Sequence, residues 1–115
     1  MWKVITVSEF DDWFLSLSKP EQIDVLSYIK VLEIKGPELS RPYVDTLENT
    51  KKVKNLKELR VQHKGKPYRV FFAFDPFRQA VLLCGGDKTG DKRFYKRMIP
   101  IAEKLYLAYI SKDLH

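Results

Sequence analysis

Two arginines face each other in the stretch KELRVQHKGKPYRVFFAF, residues 57–74. Polar and apolar residues alternate on both sides of Lys64-Gly65, the pattern of two antiparallel strands joined by a two-residue turn. Closure at that turn pairs residues equidistant from it and sets Arg60 opposite Arg69. Like charges placed across a ladder are destabilising, so the pair needs a reason. Two guanidiniums roughly 5 Å apart at Cβ tolerate each other when an anion lies between them. The planar fork of arginine binds phosphate oxygens through paired hydrogen bonds. The alternative is that Glu58 neutralises Arg60 diagonally and the pair is an ordinary solvated surface. A second cationic group follows in GGDKTGDKR, residues 85–93. Here Lys88, Lys92 and Arg93 lie near the start of the last predicted helix, whose free N–H groups favour an anion. The GxxxxGK[ST] spacing is missing, so nucleotide binding of the P-loop kind is not expected. With Arg60 and Arg69 these residues outline a cationic groove, and Tyr68, Phe71 or Tyr95 are available for base stacking. The alternative puts most of those aromatics in the core.

Other chemistry finds less support. Asp75, Asp87 and Asp91 could ligate magnesium, but Asp75 suits a turn and Asp91 a helix cap. No paired-carboxylate site emerges. His63 borders the hairpin turn and His115 is terminal, so both are expected to be exposed. Cys84 is the sole cysteine; it cannot form an internal disulfide, and without CxxC or His/Cys spacing no zinc site is expected. In the apolar run AVLLC it reads as a small core residue rather than a nucleophile. Neither a metal nor a cofactor is called for.

The chain of 115 residues carries a net charge of +6, unevenly spread. Residues 1–48 hold five Lys/Arg against nine Asp/Glu, and residues 49–98 hold fourteen against four. An acidic half joined to a basic half points to a polyanionic partner on one surface, against the plainer reading of a lysine-rich solvated face. Hydrophobic content of 44% and charged content of 31% are those of a globular domain. No apolar run reaches the roughly 20 residues that span a bilayer, and MWKVITVSEF lacks a signal-peptide core. A single cytoplasmic domain over residues 1–115 is expected.

The elements that position these groups can be read along the chain. WKVITV (2–7) is a strand with Val4 on one face and Ile5 and Val7 on the other. Ser8 caps a helix bearing the stripe Phe10, Trp13, Phe14 and Leu17. SKPE (18–21) starts a second helix with a capping box, and Ile23, Leu26, Ile29 and Leu32, with Val25, form its apolar pattern. Gly36 and Pro37 end it. Residues 37–56 read as a long connection anchored by Leu39, Val44 and Leu47. In the hairpin, Leu59, Val61, Tyr68, Val70, Phe72 and Phe74 share the buried face, leaving Glu58, Arg60, Gln62, Arg69, Phe71 and Ala73 opposite. QAVLLC (79–84) reads as a central strand covered on both sides, ended by the two glycines. A last helix spans about Lys92 to Ile110, with Phe94, Met98, Ile101, Leu105 and Tyr109 in a stripe and Pro100 interrupting it. SKDLH (111–115) is expected to fray.

A leading strand, a helical hairpin, LKELR (56–60), YRVFF (68–72), a third strand and a lysine-rich loop into a last helix resemble the RelE/ParE superfamily of toxins. The connection GPELSRPYVDTL (36–47) is similar to its HigB-like, phage-related branch. The resemblance implies an α+β, RelE-like fold: a small antiparallel sheet with an N-terminal helical hairpin and a C-terminal helix. It implies the toxin of a type II toxin–antitoxin pair, a metal-independent endoribonuclease that cleaves messenger RNA on the ribosome. The implied partner is an antitoxin of the helix-turn-helix type, through which alone the toxin would meet operator DNA. Arg60 and Arg69 match the branch's basic strand positions. Lys88 and Lys92 match its lysines before the last helix, although DKTGDKR departs from the usual KKxxKTP, which bears most on Lys92. These four are the implied catalytic residues. Lys64, Lys66 and Arg93 would contact flanking phosphates or ribosomal RNA. Two other functions fit the same surface: a ParE-like inhibitor of DNA gyrase, and a non-enzymatic nucleic-acid-binding module.

Overall fold

The computed structural model describes residues 1–113. Its elements are strand β1 (Lys3–Thr6), helices α1 (Ser8–Leu15) and α2 (Lys19–Lys35), strands β2 (Val44–Thr46), β3 (Lys57–His63), β4 (Lys66–Phe74) and β5 (Gln79–Asp87), and helix α3 (Phe94–Asp113). The hairpin forms as its alternation demands. Lys64 and Gly65 take positive φ values of 48° and 79°, which a two-residue turn matched to strand twist requires, and Arg60 pairs with Arg69. The sheet has the order β1-β5-β4-β3-β2. The three pairs among β5, β4, β3 and β2 are antiparallel, whereas β1 lies parallel to β5. The sheet is therefore mixed rather than purely antiparallel, because α1 and α2 carry the chain away from β1 and the next strand to reach it arrives from the far side.

The start of α2 follows its sequence signal closely. Ser18 Oγ accepts from the Glu21 N–H at 3.4 Å while Glu21 Oε1 accepts from the Ser18 N–H at 2.7 Å. Helices α1 and α2 cover one sheet face, where Phe10, Val25, Ile29 and Leu32 meet Leu59, Val61, Tyr68, Val70, Phe72 and Leu82. Ile23 and Leu26 point the other way and are exposed. The inward stripe of α2 is thus Val25, Ile29 and Leu32, which follows the four-then-three spacing of a helix face.

The second sheet face is covered as well. Strand β5 is covered on both sides, as its apolar run predicts, and the hairpin face that carries Phe71 is covered too, because α3 lies across it and encloses Phe71, Val81, Leu83 and Cys84 with Phe94, Ile99 and Ala102. Ile99 and Ala102 replace the expected Ile101, which is exposed. Helix α3 passes through Pro100 and continues to Asp113, so residues 111–113 are helical; His115 lies outside the described residues. Within 37–56, residues 44–46 add an unexpected edge strand beside β3. Leu39, Val44 and Leu47 do anchor this segment to the two cores.

The glycines of β5 continue the strand instead of ending it. Between Phe71↔Cys84 and Phe72↔Leu82 the register shifts, so Leu83 is an extra residue that bulges. Beyond it Gly85 faces α1 and Gly86 faces α3. A Cβ at Gly85 would stand 2.5 Å from the Trp13 ring, and one at Gly86 would stand 2.9 Å from the Phe94 ring. Both positions admit a neighbouring aromatic only because they have no side chain. His63 is buried against α2, with Nδ1 2.5 Å from Asp24 Oδ2 and its ring stacked on Tyr68. The expectation of an exposed histidine is thereby corrected.

Candidate functional site

The ladder pairs Arg60 with Arg69 and Arg69 with Gly86, so one row crosses three strands on the α3 side. Its two arginines occupy different environments. Arg69 is 4% exposed and Glu58, also 4% exposed, lies beside it. Arg69 Nε stands 3.4 Å from Glu58 Oε1 and donates to the Tyr95 hydroxyl at 3.3 Å, while Nη1 donates to the Tyr68 carbonyl at 3.0 Å. The Tyr95 hydroxyl in turn donates to Glu58 Oε1 at 2.7 Å. The second terminal nitrogen of Arg69, Nη2, has no hydrogen-bond partner among the described residues, and Arg69 lines a groove. Burial and donation to Glu58 raise the Tyr95 pKa, despite the nearby guanidinium, so the phenol stays protonated at neutral pH.

Arg60 is half-buried and forms no ion pair with a described residue. The nearest candidate on β2, Asp45, is taken by Arg41 at 2.9 Å. That contact, with a smaller contribution from Arg60, holds the Asp45 carboxyl below its ordinary range. The carboxylate of Glu58 therefore neutralises Arg69, not Arg60 as the diagonal reading had it.

The two arginines and Lys88 line one groove of about 550 Å³. Lys88 is placed by its own N–H, which donates to the Pro67 carbonyl at 3.0 Å, and its Nζ lies 5.3 Å from the centroid of the Tyr95 ring. The far wall is Tyr28 and Tyr43, with ring centroids 6.1 Å apart; Tyr43 is 42% exposed. These two tyrosines are the available stacking surfaces. Tyr68 and Phe71 are core residues, and Tyr95 is packed edge-on against both Phe71 and Phe94. Three of the four residues expected to be catalytic thus converge. Lys92 does not line the groove, and Lys64, Lys66 and Arg93 are exposed outside it. The loop turns at Gly90 (φ 63°), where Asp91 accepts from the Arg93 N–H at 3.1 Å and from Arg97 at 2.8 Å. Asp91 is thus a cap for the entry to α3, as its type suggested, and Asp75 is a turn residue, accepting from the N–H groups of Phe77 and Gln79 at 2.9 Å. Burial lifts the Cys84 thiol to about 12, which leaves it no role as a nucleophile.

This architecture has known counterparts. A chain of the archaeal RelE–RelB complex from Pyrococcus horikoshii OT3 superposes with a TM-score of 0.59 at 20% identity, covering 77% of this chain and 97% of that one. The fold is therefore RelE-like α+β. Residues 12–107 match the family described as phage-derived protein Gp49-like (DUF891), and the chain belongs to that family. It is 45% identical over 102 residues to a Mycobacterium tuberculosis protein named "Putative toxin HigB3", spanning 88% of this chain and 87% of that one. A second protein of that organism, named for HigB2, is 35% identical over 108 residues, and there the match spans 53% of the relative.

Proposed function

We propose that this protein is the toxin of a type II toxin–antitoxin pair and acts as a ribosome-dependent endonuclease on messenger RNA. The observation that carries the reading is the groove in which an unpaired Arg60, a braced Arg69 and Lys88 meet beside two tyrosine rings. A phosphodiester in that groove would be met by Arg60 directly and by the free edge of Arg69. Cleavage then uses the substrate's own 2′-hydroxyl: the O2′–P bond forms, the P–O5′ bond breaks, and a cyclic phosphate and a free 5′-hydroxyl result. Negative charge building on the phosphoryl oxygens is offset by the guanidiniums. The proton leaving O2′ is balanced by one arriving at O5′; Lys88 moves one of the two and a water the other. Glu58 and the Tyr95 hydroxyl hold Arg69 in place, and Tyr28 and Tyr43 receive flanking bases. Lys64, Lys66, Lys92 and Arg93 meet neighbouring phosphates or ribosomal RNA.

Such an enzyme works where ribosomes are, in the cytoplasm, and needs a cognate antitoxin, which we expect to be of the helix-turn-helix type. No helix among the described residues is long and apolar enough to cross a membrane. The test is to map messenger 5′ ends after inducing the chain without an antitoxin. New ends within translated codons, absent from ribosome-free RNA incubated with the protein, are expected. Intact messengers with DNA damage would instead favour a gyrase inhibitor, and RNA bound but uncut would favour a binding module.

A further inference from the structure

A second groove, of about 1050 Å³, lies between α3 and the loop at residues 49–52. Its floor is aliphatic, formed by Ile99, the Pro100 ring and Leu107, which is 42% exposed. Its rim carries Lys51 and Lys52 from the loop before β3 and Lys96 and Lys104 from α3. All four lysines are exposed, and none has an ion-pair partner among the described residues. The one carboxylate in the lining, Glu103, is already used. Its Oε2 accepts from the N–H groups of Lys51, Lys52 and Val53 at 2.9, 2.5 and 2.8 Å. That contact pins the loop to the helix, so the groove is preformed and its net charge is strongly positive.

We propose that this groove receives an acidic amphipathic helix of a protein partner. Its length decides the size of the occupant. From Tyr95 to Leu107 the helix rises roughly 18 Å at 1.5 Å per residue, which is about three turns of a docked helix. Apolar side chains at helical spacing would fill the floor, and carboxylates on the flanks would meet the four lysines. A nucleic-acid strand suits the groove less well, since it would need an open ring to stack on. Tyr95, the aromatic in this lining, is committed edge-on to Phe71 and Phe94, with Lys88 over it. This surface is distinct from the cationic groove, and the proposal does not depend on nuclease activity.

The probe is a fluorescein-labelled 16-residue peptide with Leu at every third or fourth position and Glu on the flanks, titrated with the purified full-length chain by anisotropy. Binding is expected, and it should weaken at least tenfold in the Lys96→Glu/Lys104→Glu variant and several-fold in Leu107→Ser. All three side chains are exposed, so these variants keep the fold. Lys19→Glu/Lys30→Glu on α2 makes the same charge change elsewhere and should leave the affinity within twofold. A peptide with Lys in place of Glu should not bind. The proposal is overturned if the acidic peptide fails to bind, if both double variants weaken it equally, or if a short single-stranded RNA displaces it. Self-association of the chain that disappears in Leu107→Ser would overturn it too, by identifying a second copy as the occupant.

Discussion

An Arg60→Ala variant should lose RNA cleavage while keeping its fold, and the contrast with Arg69 explains why this substitution is the informative one. Arg69 is buried against Glu58. Removing it strands a carboxylate, at a cost of about 3–5 kcal/mol, in a domain whose whole stability is of order 5–15 kcal/mol. An inactive Arg69→Ala protein would therefore say little about chemistry. Arg60 is half-buried and unpaired, and its removal ends a like-charge contact across the ladder. Such contacts cost a few tenths to about 1 kcal/mol, so stability should be unchanged or raised by up to that amount. A charge-assisted hydrogen bond contributes about 1.5–3 kcal/mol, and each 1.36 kcal/mol is tenfold in rate. The expected loss of cleavage is thus roughly 10- to 150-fold. The assay is primer extension on messenger RNA in purified ribosome complexes, with thermal melting of the same preparation. A variant that melts at or above the wild-type temperature yet cuts within threefold of the wild-type rate would refute the role given to Arg60.

Three further outcomes follow from the same network and its surroundings. Glu58→Leu and Arg69→Met should each destabilise by about 3 kcal/mol or more, and the double variant should cost less than their sum, as measured by urea unfolding. Tyr95→Phe keeps the ring for Phe71, Phe94 and Lys88 but loses the hydroxyl between Arg69 and Glu58. It should cost about 1–2 kcal/mol in stability and lower the cleavage rate without changing ribosome binding, which filter binding would test. Near α2, Glu21 is held at about 2, chiefly by the Tyr68 hydroxyl and then by the Ser18 backbone and side chain. A carboxylate with a depressed pKa stabilises the fold above its unfolded value and loses that contribution as pH falls. Tyr68 is raised to about 12 by burial and by Glu21, so its contribution is complete below about pH 10 and is lost as pH rises through 12. Melting temperature should therefore fall between pH 4.5 and 2 and again between pH 10 and 12, and Tyr68→Phe should flatten both limbs. Unchanged limbs in that variant would assign them to other groups.

What could be read from the sequence was what local geometry decides. A two-residue turn at Lys64-Gly65 leaves one register, so the opposition of Arg60 and Arg69 was legible before any coordinates. Ser18 and Glu21 satisfy each other within a single turn, and their box was equally plain. The misreadings came from distant partners. His63 looked exposed because Asp24, its partner on α2, lies 39 positions away. Glu58 could reach either arginine by spacing, and it was Tyr95 on α3 that fixed the choice. Phe71 and Ala73 gave a signal that was available and underweighted: a strand reading VFFAF is apolar on both faces and should be covered on both. Lys92 and Arg93 were grouped with Lys88 by proximity along the chain, and the turn at Gly90 separates them. The edge strand at 44–46 is too short to show a period, and it exists because β3 offers it a free edge.

The bulge at Leu83 has a consequence for how members of this fold can diverge. One surplus residue reverses which way each later side chain looks, so the two halves of β5 keep separate parity. The first half can be aliphatic at every position, because both layers it meets are apolar. Loss of a single codon there would turn the far end over, swapping the layers to which residues 85 and 86 belong and driving Trp13 and Phe94 against the wrong neighbours. A one-residue change in strand length at this point is therefore expected to disturb the fold more than an aliphatic substitution of similar volume.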